Sequence, residues 1–352
     1  MILAHTIKIG LATSMLWLNV AVAAGVPDVV NTPAIMTKLA ASKPLLAVVK
    51  ADKRLVAVGQ RGHIIYSDNQ GESWQQATVP VSSDLTAAYF VSANKGWVVG
   101  HDGVVLMSDD KGVTWQKQLD GWQVIEILKK QAKELAASAP AQQDLVLELE
   151  RIAEQGADKP FLDVWFENEK TGFVVGAFGL IFKTQDGGKT WQSIIHQVQN
   201  PGFLHLYAVK GHKGSVFVAG EQGTILKQSV DSTSFVALNS PYKGSFFGLL
   251  STSDVLLAYG LRGNLVRSTD NGTTWRQIDT YIPSGLTDGA VLDNGQLILV
   301  SQRGDILLSK NQGVSFYRPT VNQRLPFTSV VQVANQRVVM TSLVGVKVED
   351  LK

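Results

Sequence analysis

Three arginines stand at one position of a recurring four-residue turn. GQRG (Gly59 to Gly62), GLRG (Gly260 to Gly263) and SQRG (Ser301 to Gly304) carry Arg61, Arg262 and Arg303 as their third residue. Sister turns GHDG, GAFG and GEQG carry Asp102, Phe178 and Gln222 there. A guanidinium is a planar fork of N–H donors that grips a carboxylate or phosphate with two hydrogen bonds. Flanking glycines keep such a turn thin, so the side chain projects. Arginines brought to one surface would therefore hold an acidic protein segment or terminus. The competing reading is that polar residues suit hairpin tips and that these three descend, solvated and idle, from one ancestral repeat.

Other chemistry is poorly supplied. The six histidines (His5, His63, His101, His196, His205 and His212) show no metal-ligand spacing. GGKT (Gly187 to Thr190) lacks the earlier glycine of a phosphate loop, since position 183 is Lys183. There is no Gly-x-Ser-x-Gly elbow and no cysteine. A net charge of +2 argues against a general nucleic-acid surface. No catalytic residue, metal or cofactor is expected.

The elements that must position the arginines follow from repetition. The turns step along the chain by 41, 76, 44, 40 and 41 residues. Seven hairpin-like pairs of apolar runs recur at that period, each rich in Val, Leu and aromatics and bounded by turn residues. A third run follows each pair, then a phrase: SDDKGVTW (Ser108 to Trp115), TQDGGKTW (Thr184 to Trp191) and STDNGTTW (Ser268 to Trp275) are its clearest copies. Asp110, Asp186 and Asp270 can cap backbone amides two residues on. Gly112, Gly188 and Gly272 permit positive φ, and Trp115, Trp191 and Trp275 bury large rings between neighbouring sheets. One carboxylate per turn is too few for a calcium cage. A period near 40 with several strands per unit predicts an all-β, seven-bladed β-propeller. In such a blade the arginine turns, between strands two and three, share a face with the links between blades. The phrase marks the opposite face. If the ring closes, Arg61, Arg262 and Arg303 lie along one arc.

Three segments stand outside the repeat. Residues 1–24 read as a secretory signal peptide, with Lys8 before an apolar run and Ala21-Val22-Ala23 as the cleavage site. The propeller then spans residues 25–352, and no later stretch is long enough to cross a bilayer. Unit seven stops at GVKVEDLK, which predicts that residues 26–42 supply its missing outer strand. The 76-residue step holds an insertion at 121–158 between units two and three. Apolar stripes at Val124, Ile127, Leu128 and Leu135, and at Leu145, Leu149 and Ile152, predict an αα-hairpin, with Glu126 and Lys130 paired at i, i+4. It is expected beside the arginine face, either as a docking element or as an ornament whose seam is buried against itself.

The phrase resembles the Asp-box of BNR-repeat propellers. With seven units, an export signal and Gly-x-Arg-Gly turns, the chain resembles the photosystem II stability/assembly factor family over roughly residues 40–350. That resemblance implies a non-enzymatic assembly factor that binds a membrane-protein complex. Apart from the resemblance, a transporter is one candidate client. The expected location is the periplasm. The main alternative is a sialidase-like hydrolase, which shares Asp-boxes and an arginine set but needs a tyrosine nucleophile with an acidic partner. Tyr259 and Tyr281 are its candidates. A glycan-binding module would instead expose aromatics near Phe178 and Trp122.

Overall fold

The computed structural model describes residues 28–320 and 324–351. The expected signal peptide lies outside them. Seven antiparallel sheets follow one another along the chain, each a meander. Their first strands are Leu45–Ala51, Leu85–Phe90, Phe161–Phe166, Leu206–His212, Phe246–Ser251, Leu286–Val291 and Phe327–Ala334. Each first strand packs beside that of the next sheet, and Phe327–Ala334 packs beside Leu45–Ala51. Among the described residues the arrangement is propeller-like and all-β apart from two α-helices and short 3-10 turns.

Burial explains the composition of each run. Second strands such as Gly96–Gly100, Gly172–Gly176, Leu256–Gly260 and Leu297–Ser301 are buried at every residue. They are covered by a sheet on each side, so both faces of the pleat are apolar. Aromatics fill the space between sheets two and three, where Trp97 stacks on Phe166 and Trp191 meets Phe166 edge-on. Sheets six and seven have three strands each. Sheet six keeps a remnant of a fourth as a single bridge, Leu308 with Tyr317.

Polar side chains join the first strands of successive sheets. The Thr86 hydroxyl donates to the Phe161 carbonyl, Asp163 accepts from the Val209 amide, and the Thr287 hydroxyl donates to the Phe327 carbonyl. Sheet seven meets sheet one in the same way: the Thr328 hydroxyl donates to the Leu45 carbonyl (2.7 Å) and the Val48 amide to Ser329 Oγ (3.1 Å).

The N-terminal segment does not complete sheet seven. Residues 28–42 form a strap along the outer edge of sheet one. The Ala34 amide donates to the Val79 carbonyl, the Thr37 amide to Gln76 Oε1, and the Ser82 amide to the Val29 carbonyl. Pro33 and the two 3-10 turns, Val29–Asn31 and Ala40–Ser42, prevent a continuous ladder. The second turn crosses to sheet seven, where the Ala41 carbonyl leaves no room for a side chain at Gly345.

The 41 residues after Leu119 contain helices α1 (Gly121–Ser138) and α2 (Gln143–Glu154). Asp120 starts α1 with a capping box: its carboxylate accepts from the Gln123 amide, and the Gln123 side chain accepts from the Asp120 amide. The helices do not bury their seam against each other alone. Val124, Leu128, Leu149 and Ile152 belong to one core with Leu119 of sheet two and Trp191, Ile194 and Ile195 of sheet three. The Gln131 side chain donates to the Ser193 carbonyl at 3.1 Å. Ile127, Leu135 and Leu145 are only partly buried. The surface charges pair differently from expectation, Glu126 with Lys129 and Lys130 with Glu134. The fully buried residues of both stripes are thus consumed within the chain, rather than in a seam between the two helices alone.

Candidate binding face

The Asp-box phrase is a hydrogen-bonded knot. Asp110 accepts from the amides of Val113 (3.0 Å) and Thr114 (2.9 Å) and from the hydroxyls of Ser108 (2.8 Å) and Thr114 (2.6 Å). Asp186 and Asp270 repeat the arrangement with Thr184 and Thr190, and with Ser268 and Thr274. The amide served by all three carboxylates is four residues on, and Asp110 also takes the one three on, rather than the two expected. The residue two before the aspartate takes the nearer role, its hydroxyl accepting from the Gly112, Gly188 or Gly272 amide. Donors from Thr274 and Ser268 hold Asp270 down to a pKa of about 2. Trp115 and Trp191 are buried, and Trp275 is half-buried. Most of the acceptor capacity of these aspartates is thus spent within their own turns. No group of three or more metal-ligating side chains occurs among the described residues.

The arginine turns lie at the other ends of the strands. Arg61 (φ 55°) and Arg262 (φ 58°) adopt left-handed backbone, as do Asp102, Phe178 and Gln222. The turns close through His63 to Gln60 and Asn264 to Leu261. The sixth turn differs. Its bond runs from the Gly304 amide to the Ser301 carbonyl, and the Arg303 amide donates to Ser301 Oγ. Arg303 shares the sequence position of the other two but not their backbone. All three side chains are exposed. Arg262 and Arg303 sit on neighbouring sheets. Between Arg303 and Arg61 falls the turn of sheet seven, which carries Val344 at the equivalent position.

Two arginines that the repeat pattern did not expose extend this face. The link between sheets six and seven brings Arg318 and Arg324 to Asp305, with Nη1 atoms 3.9 and 3.8 Å from Oδ1. Arg318 also donates to the Tyr281 carbonyl at 2.7 Å. Asp305 is buried, which alone would raise its pKa. The Ser301 and Ser284 hydroxyls and the two arginines outweigh burial and lower it. Tyr281 itself is exposed, has φ 54°, and shares with Arg262 the lining of a cavity of about 600 Å³. The only sequence signal was a pair of arginines in an inter-unit link, which has no repeat to align against.

A second cavity, about 450 Å³, runs between the first strands of all seven sheets. It holds Asp163, Asp288, Tyr259 and Lys210. Tyr259 Oη lies 3.4 Å from Asp288 Oδ1. Desolvation raises Asp163 to a pKa of about 6, raises Asp288, and pushes Tyr259 well above its ordinary value. None of Arg61, Arg262 and Arg303 lines this channel. A tyrosine with an acidic partner therefore exists, but apart from the arginines and with its ionisation suppressed. Nor is Phe178 an open aromatic platform: the charged ends of Arg151 and Lys159 lie 5.9 and 5.6 Å from its ring. Trp122 is exposed, with its indole N–H bonded to Asp28.

These features define a repeat protein of the propeller class whose polar loops crowd one face. A family model described as "Photosynthesis system II assembly factor YCF48" matches residues 34–126 and 147–325, and the chain belongs to that family. The photosystem II stability/assembly factor HCF136 of Oryza sativa subsp. japonica is 24% identical over 173 residues, 44% of this chain and 42% of that protein. The photosystem II assembly lipoprotein Ycf48 of Synechococcus sp. (strain CC9902) is 25% identical over 169 residues, 47% of this chain and 50% of that one. The chain thus spans about half the length of the curated relatives it matches. A solved structure of YCF48 bound to a D1 peptide superposes with a TM-score of 0.62 at 16% identity, covering 91% of this chain and 99% of that one. The WD40 β-propeller domain of Doa1 gives the same score at 10% identity, covering 91% and 95%. These similarities show the fold alone. Within the described residues no helix is long and apolar enough to cross a membrane.

Proposed function

We propose that the chain is a non-enzymatic assembly factor, exported by its N-terminal leader to the periplasm, that holds an acidic segment or terminus of a membrane-protein complex. In this reading the seven sheets are the blades of a closed propeller, with α1 and α2 inserted between the second and third. Closure is supported by the packing of the first strand of sheet seven on that of sheet one. The docking groups are Arg61, Arg262 and Arg303, joined by Arg318 and Arg324. The observation that carries the reading is the exposed arginine turns on one face of a chain in an assembly-factor family. A relative that was solved with a peptide bound supports a peptide as the kind of ligand. A hydrolase is disfavoured because none of the three arginines lines the channel that holds Tyr259 and Asp288, and burial opposes forming the phenolate.

The test is affinity capture from native membranes. Arg61→Glu, Arg262→Glu and Arg303→Glu together should leave the fold intact, since all three are exposed hairpin-tip residues. They should abolish co-purification of the client. Undiminished co-purification would remove the arginine face from the mechanism.

A further inference from the structure

A separate surface lies at the corner between sheets one and seven, and it joins apolar tips to unpaired cations. On the strap, Ile35 is 76% exposed, Met36 63% and Leu39 57%; on the hairpin tip of sheet seven, Leu343 is 50% and Val344 59%. The chain path brings them together. Ala34 approaches Gly62 in the turn of sheet one, and the Ala40–Ser42 turn that follows Leu39 rests on Gly345, the residue after Val344. Apolar side chains this exposed on convex elements are uncommon without a use. Protein hot spots favour fully desolvated pockets. Projecting tips suit a medium that can close around them.

The charges are mostly positive. Lys38 is exposed on the strap and Lys43 just after it, and Arg61 projects from the adjoining turn. No ion pair involving these three occurs among the described residues. The field of two of them reaches His63, whose pKa is lowered first by burial and then by Arg61 and Lys43. One acid, Asp84, lies at this corner, its carboxylate accepting from the Arg61 amide; Glu72 and Asp350 pair with Arg337 at the other ends of the strands. Apolar groups ringed by Lys and Arg are the pattern of a protein resting at a lipid–water boundary.

We propose that this corner docks onto an anionic phospholipid surface, inserting Leu343, Val344, Ile35, Met36 and Leu39 while Lys38, Lys43 and Arg61 meet the headgroup phosphates. Apart from sharing Arg61, the proposal is independent of the client-binding reading, because Arg262, Arg303, Arg318 and Arg324 take no part in it. The bilayer would set which way the rest of the arginine face points.

The absence of cysteine makes the test clean. Leu343→Cys and, as control, Val230→Cys are introduced singly into the full chain and labelled with a nitrobenzoxadiazole dye. Val230 is 74% exposed and sits on the opposite face, between the third and fourth strands of sheet four. Vesicles of phosphatidylcholine alone are compared with phosphatidylcholine mixed with phosphatidylglycerol. The leader can tether either labelled protein, so tethering alone affects both alike. The expected result is a blue shift and brightening at position 343 on anionic vesicles only, with position 230 unchanged. Lys38→Gln and Lys43→Gln should each weaken the response about fivefold, and added salt should weaken it further. Equal responses at both positions, or none at 343, would overturn the proposal. So would a response at 343 to an acidic peptide but not to vesicles, which would make the corner a protein-binding surface.

Discussion

Gly260→Ala tests the geometry on which the arginine turn of sheet five depends. Gly260 has φ 177°, an extended conformation open to any residue, so strain in φ is not the issue. Space is. A Cβ there would sit 2.3 Å from the Ser245 carbonyl oxygen, 2.7 Å from Phe246 Cα and 2.8 Å from the Phe247 amide nitrogen. All three are backbone atoms of the neighbouring strand, so no side chain can swing away. The same approach recurs at Gly59, Gly100, Gly176 and Gly220, at 2.2 to 2.3 Å from a carbonyl oxygen. Relief requires the strands to part, which also breaks the bond from the Leu261 amide to that carbonyl (2.9 Å). Overpacking of about 1–3 kcal/mol and a lost hydrogen bond of about 1 kcal/mol give a destabilisation of roughly 2–4 kcal/mol. With about 2 cal/mol/K of unfolding entropy per residue over about 320 residues, Tm falls by about 3–6 °C. Differential scanning calorimetry measures this directly. The sixth turn supplies an opposite control, because Ser301 bonds Asp305 and the Arg303 amide through its hydroxyl. Ser301→Gly should therefore also destabilise. An unchanged Tm in Gly260→Ala would refute the close-approach argument for every turn of this class.

Leu128→Ala, at a fully buried site shared by α1 and sheet three, should cost about 2–5 kcal/mol by chemical denaturation. A cost below about 1 kcal/mol would mean that the helices are a detachable ornament. Asp163 has a folded pKa of about 6, above its unfolded value, so the folded state binds more protons in between. Its contribution to stability should fall as pH rises from about 4 to about 6, and Asp163→Asn should flatten that part of the Tm profile. Asp270 behaves in the opposite sense. Its folded pKa of about 2 is depressed, so its contribution is present above about pH 4 and lost as pH falls towards 2. Asp270→Ala should lower Tm at neutral pH and show no further loss from this group on acidification. An acid profile identical to that of the parent would contradict the hydrogen-bond account.

The repeat made the strands legible because each phrase solves a local problem: glycine where a second backbone passes, aspartate where amides need an acceptor, tryptophan where a gap opens between sheets. Helices α1 and α2 were legible for the same reason, from the spacing of Val124, Leu128, Leu149 and Ile152. Their docking surface was not, since periodicity reports that a face is apolar and not what covers it. The strap was misread because a missing outer strand in unit seven suggested its own remedy. Pro33 and the position of Ala34 against Val79 instead commit residues 28–42 to the edge of sheet one. Arg318 and Arg324 lie in an irregular link, where no period points, and only the fold brings them to Asp305.

The hydrogen bonds between sheets seven and one link residues 281 and 283 positions apart in the chain. Among the described residues no strand bridges this junction, and without cysteine no covalent staple can. Bringing together ends so distant carries the largest loop-closure cost in the molecule, and such contacts form slowly. The tips of the strap and of sheet seven flank it, so a surface that engages both would act as an external clasp across the joint between the two ends of the chain.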